Sequence, residues 1–393
     1  MRRYSLILLF LLLAVGCKAQ PSPSPQPERL RVGAEVMMSM EYAIFPPTKV
    51  AVVANQTSLV GETHLVDTLL RSGVEVVRIF CPEHGFRGTA AAGAKVGNSV
   101  DEATGLPIIS LYGQHNKPTE EDLRDVDVVI FDLQDVGCRF YTYLSTLHYV
   151  MEACAENEKP LLVLDRPNPN GHYVDGPVLD TAHYRSFVGM HPVPIVYGMT
   201  IGEYARMVNG EEWLKGGGQC RLNVVPMEGY RRDSVYELPV PPSPNLRNAH
   251  AVALYPSLCL FEGTNVSVGR GTESPFELIG TPKSKTWDTS AFYSKYHVPA
   301  IIFTPKGGKR CYGMDLRRVE PPARFDLTWL MLMHSLTPKG YFFLKNNFFE
   351  KLAGTADLRR QLEEGVREEE IRASWQAGLE QFMQVRSRYL LYD

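Results

Sequence analysis

Apolar residues in this chain come in short, nearly unbroken runs separated by amphipathic stretches. Lys49 to Ala54 (KVAVVA), Val74 to Cys81 (VEVVRIFC), Pro107 to Tyr112, Val126 to Leu133 (VDVVIFDL) and Lys159 to Asp165 (KPLLVLD) have the length and β-branched content of strands. Between them, Glu62 to Arg71 sets Leu65, Val66, Leu69 and Leu70 at helical spacing, and Phe140 to Glu158 reads as a longer helix. Strands that are apolar on both faces and alternate with helices predict a parallel sheet covered on two sides. The expected fold class is α/β, with a Rossmann-like parallel-sheet N-terminal domain over residues 31–250. A Pro-rich crossing, Pro239 to Asn245, marks a boundary, and a smaller C-terminal α/β domain is expected over 251–393. Within it, Glu368 to Tyr389 places Ile371, Trp375, Leu379, Phe382 and Tyr389 on one core-facing helical stripe.

Each strand runs into a polar cluster. The first leads to Asn55-Gln56-Thr57, the second to Pro82-Glu83-His84-Gly85, the third to Gly113-Gln114-His115. The fourth ends in Asp132-Leu133-Gln134-Asp135, followed by Arg139 and Tyr141, and the fifth in Asp165-Arg166-Pro167-Asn168-Pro169-Asn170. In a parallel sheet all these ends share one edge, which is where open α/β sheets bind ligands. The plainer reading, that the clusters are caps and turns, suits Asn55, Thr57 and Asn168. It suits Glu83, His84, Gln134 and Arg166 less well, because those residues are poor turn formers. A second polar segment, Gly263 to Thr272, is punctuated by glycines and is expected to face the edge across a cleft between the domains.

The first seventeen residues are not read as fold. Arg2 and Arg3 precede an apolar run from Ser5 to Val15, too short to span a bilayer, which needs roughly 20 residues. The run ends in Ala14-Val15-Gly16-Cys17, small residues before a cysteine, as in a bacterial lipobox. Residues 1–17 are therefore expected to be a lipoprotein signal peptide ending at a lipidated Cys17, and the Pro/Ser-rich stretch 18–30 an extended tether. Such a protein is exported and held by its lipid on the bacterial cell envelope, at the periplasmic or outer-membrane face. The remaining six cysteines show no C-x-x-C and no zinc spacing, and the expectation is buried free thiols.

Composition narrows the chemistry. With 41 Lys plus Arg against 44 Asp plus Glu, the formal charge is −3, and no basic stripe offers a nucleic acid its phosphate partners. There is no G-x-S-x-G elbow, no H-E-x-x-H, no phosphate-cradling G-x-x-x-x-G-K-[ST] and no G-x-G-x-x-G opening a helix. No cofactor and no metal are expected. Asp127, Asp132 and Asp135 suggest a magnesium site only if strand alternation is ignored.

Seven motifs then carry a resemblance. PEHGFRG (Pro82 to Gly88), TGLPIISLYG (Thr104 to Gly113), DVDVVIFDLQDVGCRFYTY (Asp125 to Tyr143), LDRPNPNGHYVDGPVLD (Leu164 to Asp180), YGMTIGEYA (Tyr197 to Ala205), PPSPNL (Pro241 to Leu246) and EGTNVSVGRGT (Glu262 to Thr272) occur in that order. From about Arg31 to Tyr392 the chain resembles the exo-β-N-acetylmuramidase (NamZ) family, glycoside hydrolase family 171. The resemblance implies an active site between the two domains. It also implies release of N-acetylmuramic acid from the non-reducing ends of peptidoglycan fragments, in cell-wall turnover or recycling. It implies Glu83, in the P-E-H-G motif, as the catalytic glutamate.

Residue chemistry supplies candidate roles. Glycoside hydrolysis needs a proton for the leaving oxygen and stabilisation of an oxocarbenium-like centre. Glu83 is the expected general acid/base, with His84 tuning it or binding sugar. The second group is expected to be Asp132, Asp135 or the substrate's own N-acetyl oxygen. Muramic acid carries a lactyl carboxylate, and Arg139, Arg166 and Arg270 are candidates to clamp it bidentately. Tyr141 and Asn265, with Asn55, Gln56, Gln134 and Asn168, are the remaining candidate sugar contacts. Two other readings fit the composition: a non-catalytic solute-binding lipoprotein for cell-wall sugars, and a metal-dependent cell-wall amidase or deacetylase.

Overall fold

The structure is a computed structural model that describes residues 29–40, 48–87, 97–234, 236–282, 298–305 and 308–393. The expected signal peptide, Cys17 and residues 18–28 of the expected tether lie outside the described residues.

Seven strands form the main sheet: β1 (Lys49–Ala54), β2 (Glu75–Cys81), β3 (Ser99–Val100), β4 (Pro107–Ser110), β5 (Val128–Asp132), β6 (Leu161–Leu164) and β7 (Leu222–Val225). Their order is β3-β4-β2-β1-β5-β6-β7, with every pair parallel except β3 against β4. The central strand shows why the apolar runs are continuous. Ala51 and Val53 enter one buried layer, while Val50, Val52 and Ala54 enter the other. The first layer packs under helices Tyr143–Glu156 and Ile201–Gly210, the second under Gly33–Ser39 and Leu65–Arg71. Burying both faces of each strand is what a parallel sheet between helix layers requires.

β4, β5 and β6 stop one or two residues before their apolar runs end, and those residues leave the ladder to form the edge, while β1 and β2 continue to the end of theirs. The helix read over Phe140 to Glu158 begins only at Tyr143, so residues 139–142 are free to build a turn at that edge. Downstream, a three-stranded antiparallel sheet of β8 (Leu278–Thr281), β9 (Ala300–Phe303) and β10 (Cys311–Asp315), ordered β8-β10-β9, is joined by further helices. The first apolar layer runs on into this region without a break, from Ala51 through Phe261 and Leu330 to Phe382. The helix expected from Glu368 to Tyr389 is two helices, Glu368–Ser374 and Gln376–Arg386, broken at Trp375 (φ −105°, ψ 0°). Ile371, Trp375, Leu379 and Phe382 are buried across the break, and Tyr389 is half-buried beyond it.

The C-terminal segment returns to the main sheet. Tyr392 donates its hydroxyl to Asp165 Oδ2 at 2.6 Å, just past β6. The Leu391 amide donates to Glu203 Oε1 at 2.8 Å, and Arg232 Nη2 donates to the Tyr392 carbonyl at 2.9 Å. Among the described residues no helix is long and apolar enough to cross a membrane, all six described cysteines are buried free thiols, and no group of three or more His, Cys, Asp or Glu side chains converges as metal ligands.

Candidate active site

Glu83 owes its position to a strained turn. After β2, His84 (φ 73°) and Gly85 (φ 76°) both adopt the left-handed region, closed by the Gly85 amide on the Pro82 carbonyl at 3.1 Å. That conformation costs a non-glycine residue about 1 kcal/mol. It turns Glu83 and His84 into a cleft of about 710 Å³ between the sheet edge and the Gly-rich segment. Thr142 Oγ1 donates to Glu83 Oε2 at 2.9 Å. Tyr112, from the end of β4, also hydrogen-bonds Glu83, and burial with the charge of Glu83 pushes the phenol up to about 12. Two hydroxyls, one just past β4 and one at the start of helix Tyr143–Glu156, thus hold a half-buried carboxylate at the rim.

The opposite wall comes from the Cys259–Gly263 turn and the loop after it. There Glu262 and Arg270 form an ion pair, and the guanidinium lies 5.3 Å from the Phe276 ring centroid. Arg270 uses Nε and Nη2 on Glu262 Oε1, leaving Nη1 with no hydrogen-bond partner among the described residues. Burial raises the Glu262 carboxyl above the usual carboxylate range; Arg270 pulls it back and Glu83, across the cleft, adds to the rise. The floor is aromatic. Tyr141 and Tyr143 donate to the Pro242 carbonyl at 2.9 and 3.4 Å, and Tyr255 meets Phe140 and Phe276 edge-on at 5.3 and 4.9 Å.

Four of the expected residues therefore meet in the cleft: Glu83, His84, Tyr141 and Arg270. The others do not line it. Asp132 and Arg166 neutralise each other in the interior, Arg166 Nε and Nη2 donating to the two Asp132 oxygens at 2.5 and 2.8 Å, so neither is free for sugar. Asp135 is sealed, accepting from the Gly137 amide at 2.6 Å and from the Tyr197 hydroxyl, and burial raises its carboxyl to about 6. Arg139 clamps no carboxylate. Its two terminal nitrogens donate to the carbonyls of Pro177, Val193, Leu352 and Ala353 at 2.7–2.9 Å, tying the N-terminal region to helix Phe348–Ala353. Gly354 passes so close, with φ 79°, that a Cβ there would lie 2.6 Å from Arg139 Nη2.

The amides brace loops. Asn55 accepts from the Thr57 amide at 2.9 Å and donates to the Tyr143 hydroxyl at 2.7 Å. Gln56 donates to the carbonyls of Pro241 and Pro242 at 3.1 and 3.2 Å, and Gln134 to those of Asp135 and Pro167 at 2.8 and 2.6 Å. Asn168 donates to the Met199 carbonyl at 2.7 Å, and Asn265 to that of Tyr341 at 2.6 Å. Asp127 accepts from the Lys49 amide at 2.8 Å, at the far end of the sheet from Asp132.

Glu262, Tyr112 and Thr142 were not singled out from the sequence. Glu262 had a signal, as the acid that opens the Gly-rich segment eight residues before Arg270.

Residues 50–250 match the family described as exo-beta-N-acetylmuramidase NamZ, N-terminal, and residues 253–392 match its C-terminal counterpart. A protein of Bacillus subtilis (strain 168) named peptidoglycan beta-N-acetylmuramidase NamZ is 39% identical over 376 residues, covering 89% of this chain and 90% of that one. Two crystal structures of DUF1343 family proteins from Bacteroides fragilis NCTC 9343 superpose with a TM-score of 0.81 each. One is 41% identical and covers 93% of this chain and 99% of its own; the other is 28% identical and covers 94% and 100%.

Proposed function

We infer the chemistry from one premise: the chain belongs to the exo-β-N-acetylmuramidase NamZ family. It is a glycoside hydrolase of peptidoglycan, an exo-acting β-N-acetylmuramidase. We propose that it releases N-acetylmuramic acid from the non-reducing ends of peptidoglycan fragments in the cleft between Glu83 and Glu262. The observation that carries this reading is a carboxylate held by two hydroxyls, facing a carboxyl–guanidinium pair across a sugar-sized gap.

In this reading Glu83 is the general acid/base. Its proton passes to the glycosidic oxygen as the bond to the anomeric carbon breaks, the positive charge that develops on the sugar is stabilised by a carboxylate or by the substrate's N-acetyl oxygen, and a water that gives its proton back to Glu83 adds its oxygen to the anomeric carbon. Glu262 takes the place first assigned to Asp132 and Asp135, because it is the other carboxyl in the cleft. The open Nη1 edge of Arg270 binds the lactyl carboxylate, the group that distinguishes muramic acid from glucosamine. His84 and Tyr141 contribute polar and aromatic contacts to the sugar.

The test sets a chromogenic β-N-acetylmuramide beside the matching N-acetylglucosaminide, with wild type and Glu83→Gln. Turnover of the muramide alone, lost in the variant, supports the assignment; equal turnover of both sugars refutes the lactyl clamp. We further propose that Cys17 carries lipid, that the enzyme acts from the envelope, and that it serves cell-wall recycling. Incorporation of labelled palmitate, abolished by Cys17→Ser, tests the anchor.

A further inference from the structure

Beside the cleft lies a second cavity of about 510 Å³, and Phe187 lines both. Phe187 sits in a tight turn closed by reciprocal Ser186 and Gly189 backbone bonds of 2.8 and 3.0 Å, and its carbonyl accepts from Ser145 Oγ at 2.7 Å. Its ring meets Tyr112 edge-on at 5.9 Å and lies nearly parallel to Tyr149 at 6.3 Å. Tyr112 is the residue that bonds Glu83, so an aromatic ridge runs from the catalytic carboxylate to the second cavity.

Arg185 lines that cavity and is exposed. It forms no ion pair with a carboxylate among the described residues; it donates from Nη2 to His148 Nε2 at 3.3 Å. Burial pushes His148 down to about 4, so it is neutral at ordinary pH. Because arginine only donates, His148 Nε2 must accept. Its proton then sits on Nδ1 and donates to His191 Nε2 at 3.0 Å, and His191 Nδ1 donates to the Tyr204 hydroxyl at 2.9 Å. Two buried imidazoles therefore orient the guanidinium without cancelling its charge, which a carboxylate partner would do. Glu152, 3.5 Å from His148, is itself paired with Lys117 at 2.8 Å. His191 also stacks on Trp213 with ring planes 18° apart, fixing an aromatic wall of the same cavity.

An oriented, unneutralised cation beside an aromatic wall fits a sugar that carries a carboxylate. We propose that this cavity is a distal subsite for the leaving glycan, in which Arg185 binds the lactyl carboxylate of the next muramoyl residue along the chain. The inference rests on the muramidase reading. With the terminal muramoyl unit at Glu83, the following glucosamine unit crosses the Phe187 ridge and the second muramoyl unit reaches Arg185.

The experiment compares kcat/KM for the disaccharide MurNAc-GlcNAc with that for its tetrasaccharide repeat. Wild type is expected to favour the tetrasaccharide by about ten-fold, the effect of one charge-assisted contact. Arg185→Ala is expected to bring the ratio close to one and Arg185→Lys to restore part of it, while amidating the internal lactyl carboxylate makes the tetrasaccharide behave like the disaccharide. A flat ratio in wild type that hydrolyses the disaccharide, or a ratio untouched by Arg185→Ala, overturns the subsite and leaves the muramidase reading intact. A preference for stem-peptide-bearing over peptide-free tetrasaccharide also overturns it, assigning the cavity to peptide. No turnover of either saccharide by wild type overturns both proposals.

Discussion

Asp132 ends β5 and Glu83 follows β2, on one edge of the same sheet, yet they meet opposite fates. Asp132 is matched oxygen for nitrogen by Arg166 and withdrawn from solvent. Glu83 is held by the Thr142 and Tyr112 hydroxyls in an open cleft, where Arg270 pairs with Glu262 instead. A buried charge is tolerable when fully paired, as Asp132 is. Being charged and at the edge is common to both; what separates them is that Asp132 is closed off by an ion pair while Glu83 stays half-buried at an open cleft.

Breaking each member of the pair should move a different observable. Glu83→Gln should lower kcat on the muramide by about a thousand-fold, the scale of a lost general acid, with the thermal midpoint unchanged. Asp132→Ala should do the reverse. It strands Arg166 in the interior and should cost about 3 kcal/mol in denaturant unfolding, while the activity of the folded fraction is retained. Within the cleft, Arg270→Lys should raise KM for the muramide about ten-fold, because an ammonium cannot reproduce the forked contact, with a smaller change in kcat.

A pH-dependent effect sharpens the interior side. The Asp135 carboxyl is raised to about 6, so the folded state binds its proton more tightly than the unfolded chain. Its contribution is fully present below the unfolded value near 4 and is lost as pH rises through about 6. Asp135→Asn should remove roughly 2 kcal/mol of the fall in stability between about pH 4 and pH 7, measured by urea unfolding at each pH. Asp165, raised to about 6 by the same burial, should keep part of the slope in the variant.

The edge itself was legible, because apolar runs that stop at polar clusters encode strand ends directly. That Glu83 and His84 line the cleft was legible because neither residue suits a turn, and the turn that holds them puts His84 into a left-handed backbone. Asp132 and Arg166 misled because their pairing joins residues 34 apart in sequence, on different strand ends, and nothing local announces it. Arg139 misled further, since its partners are main-chain carbonyls up to 214 residues away and carry no side-chain signature. Glu262 was hidden by context: an acid ahead of glycines reads as loop until the opposite wall of the cleft is known. The break at Trp375 escaped the helical stripe because the buried positions keep phase across it.

The return of the tail to the sheet has a consequence for biosynthesis. Glu203 and Asp165 wait for partners 188 and 227 positions downstream. While the chain is being made, its Rossmann-like portion emerges first, with Thr200 and Gly202 already on Asp165 and Thr200 and Arg232 already on Glu203 but the bonds from Leu391 and Tyr392 still missing, and sequence-distant closure of this kind is slow. Only when Tyr392 arrives is that flank sealed, so a chain cut short before it keeps the residues that line the cleft and lacks the bonds that close the flank of the sheet.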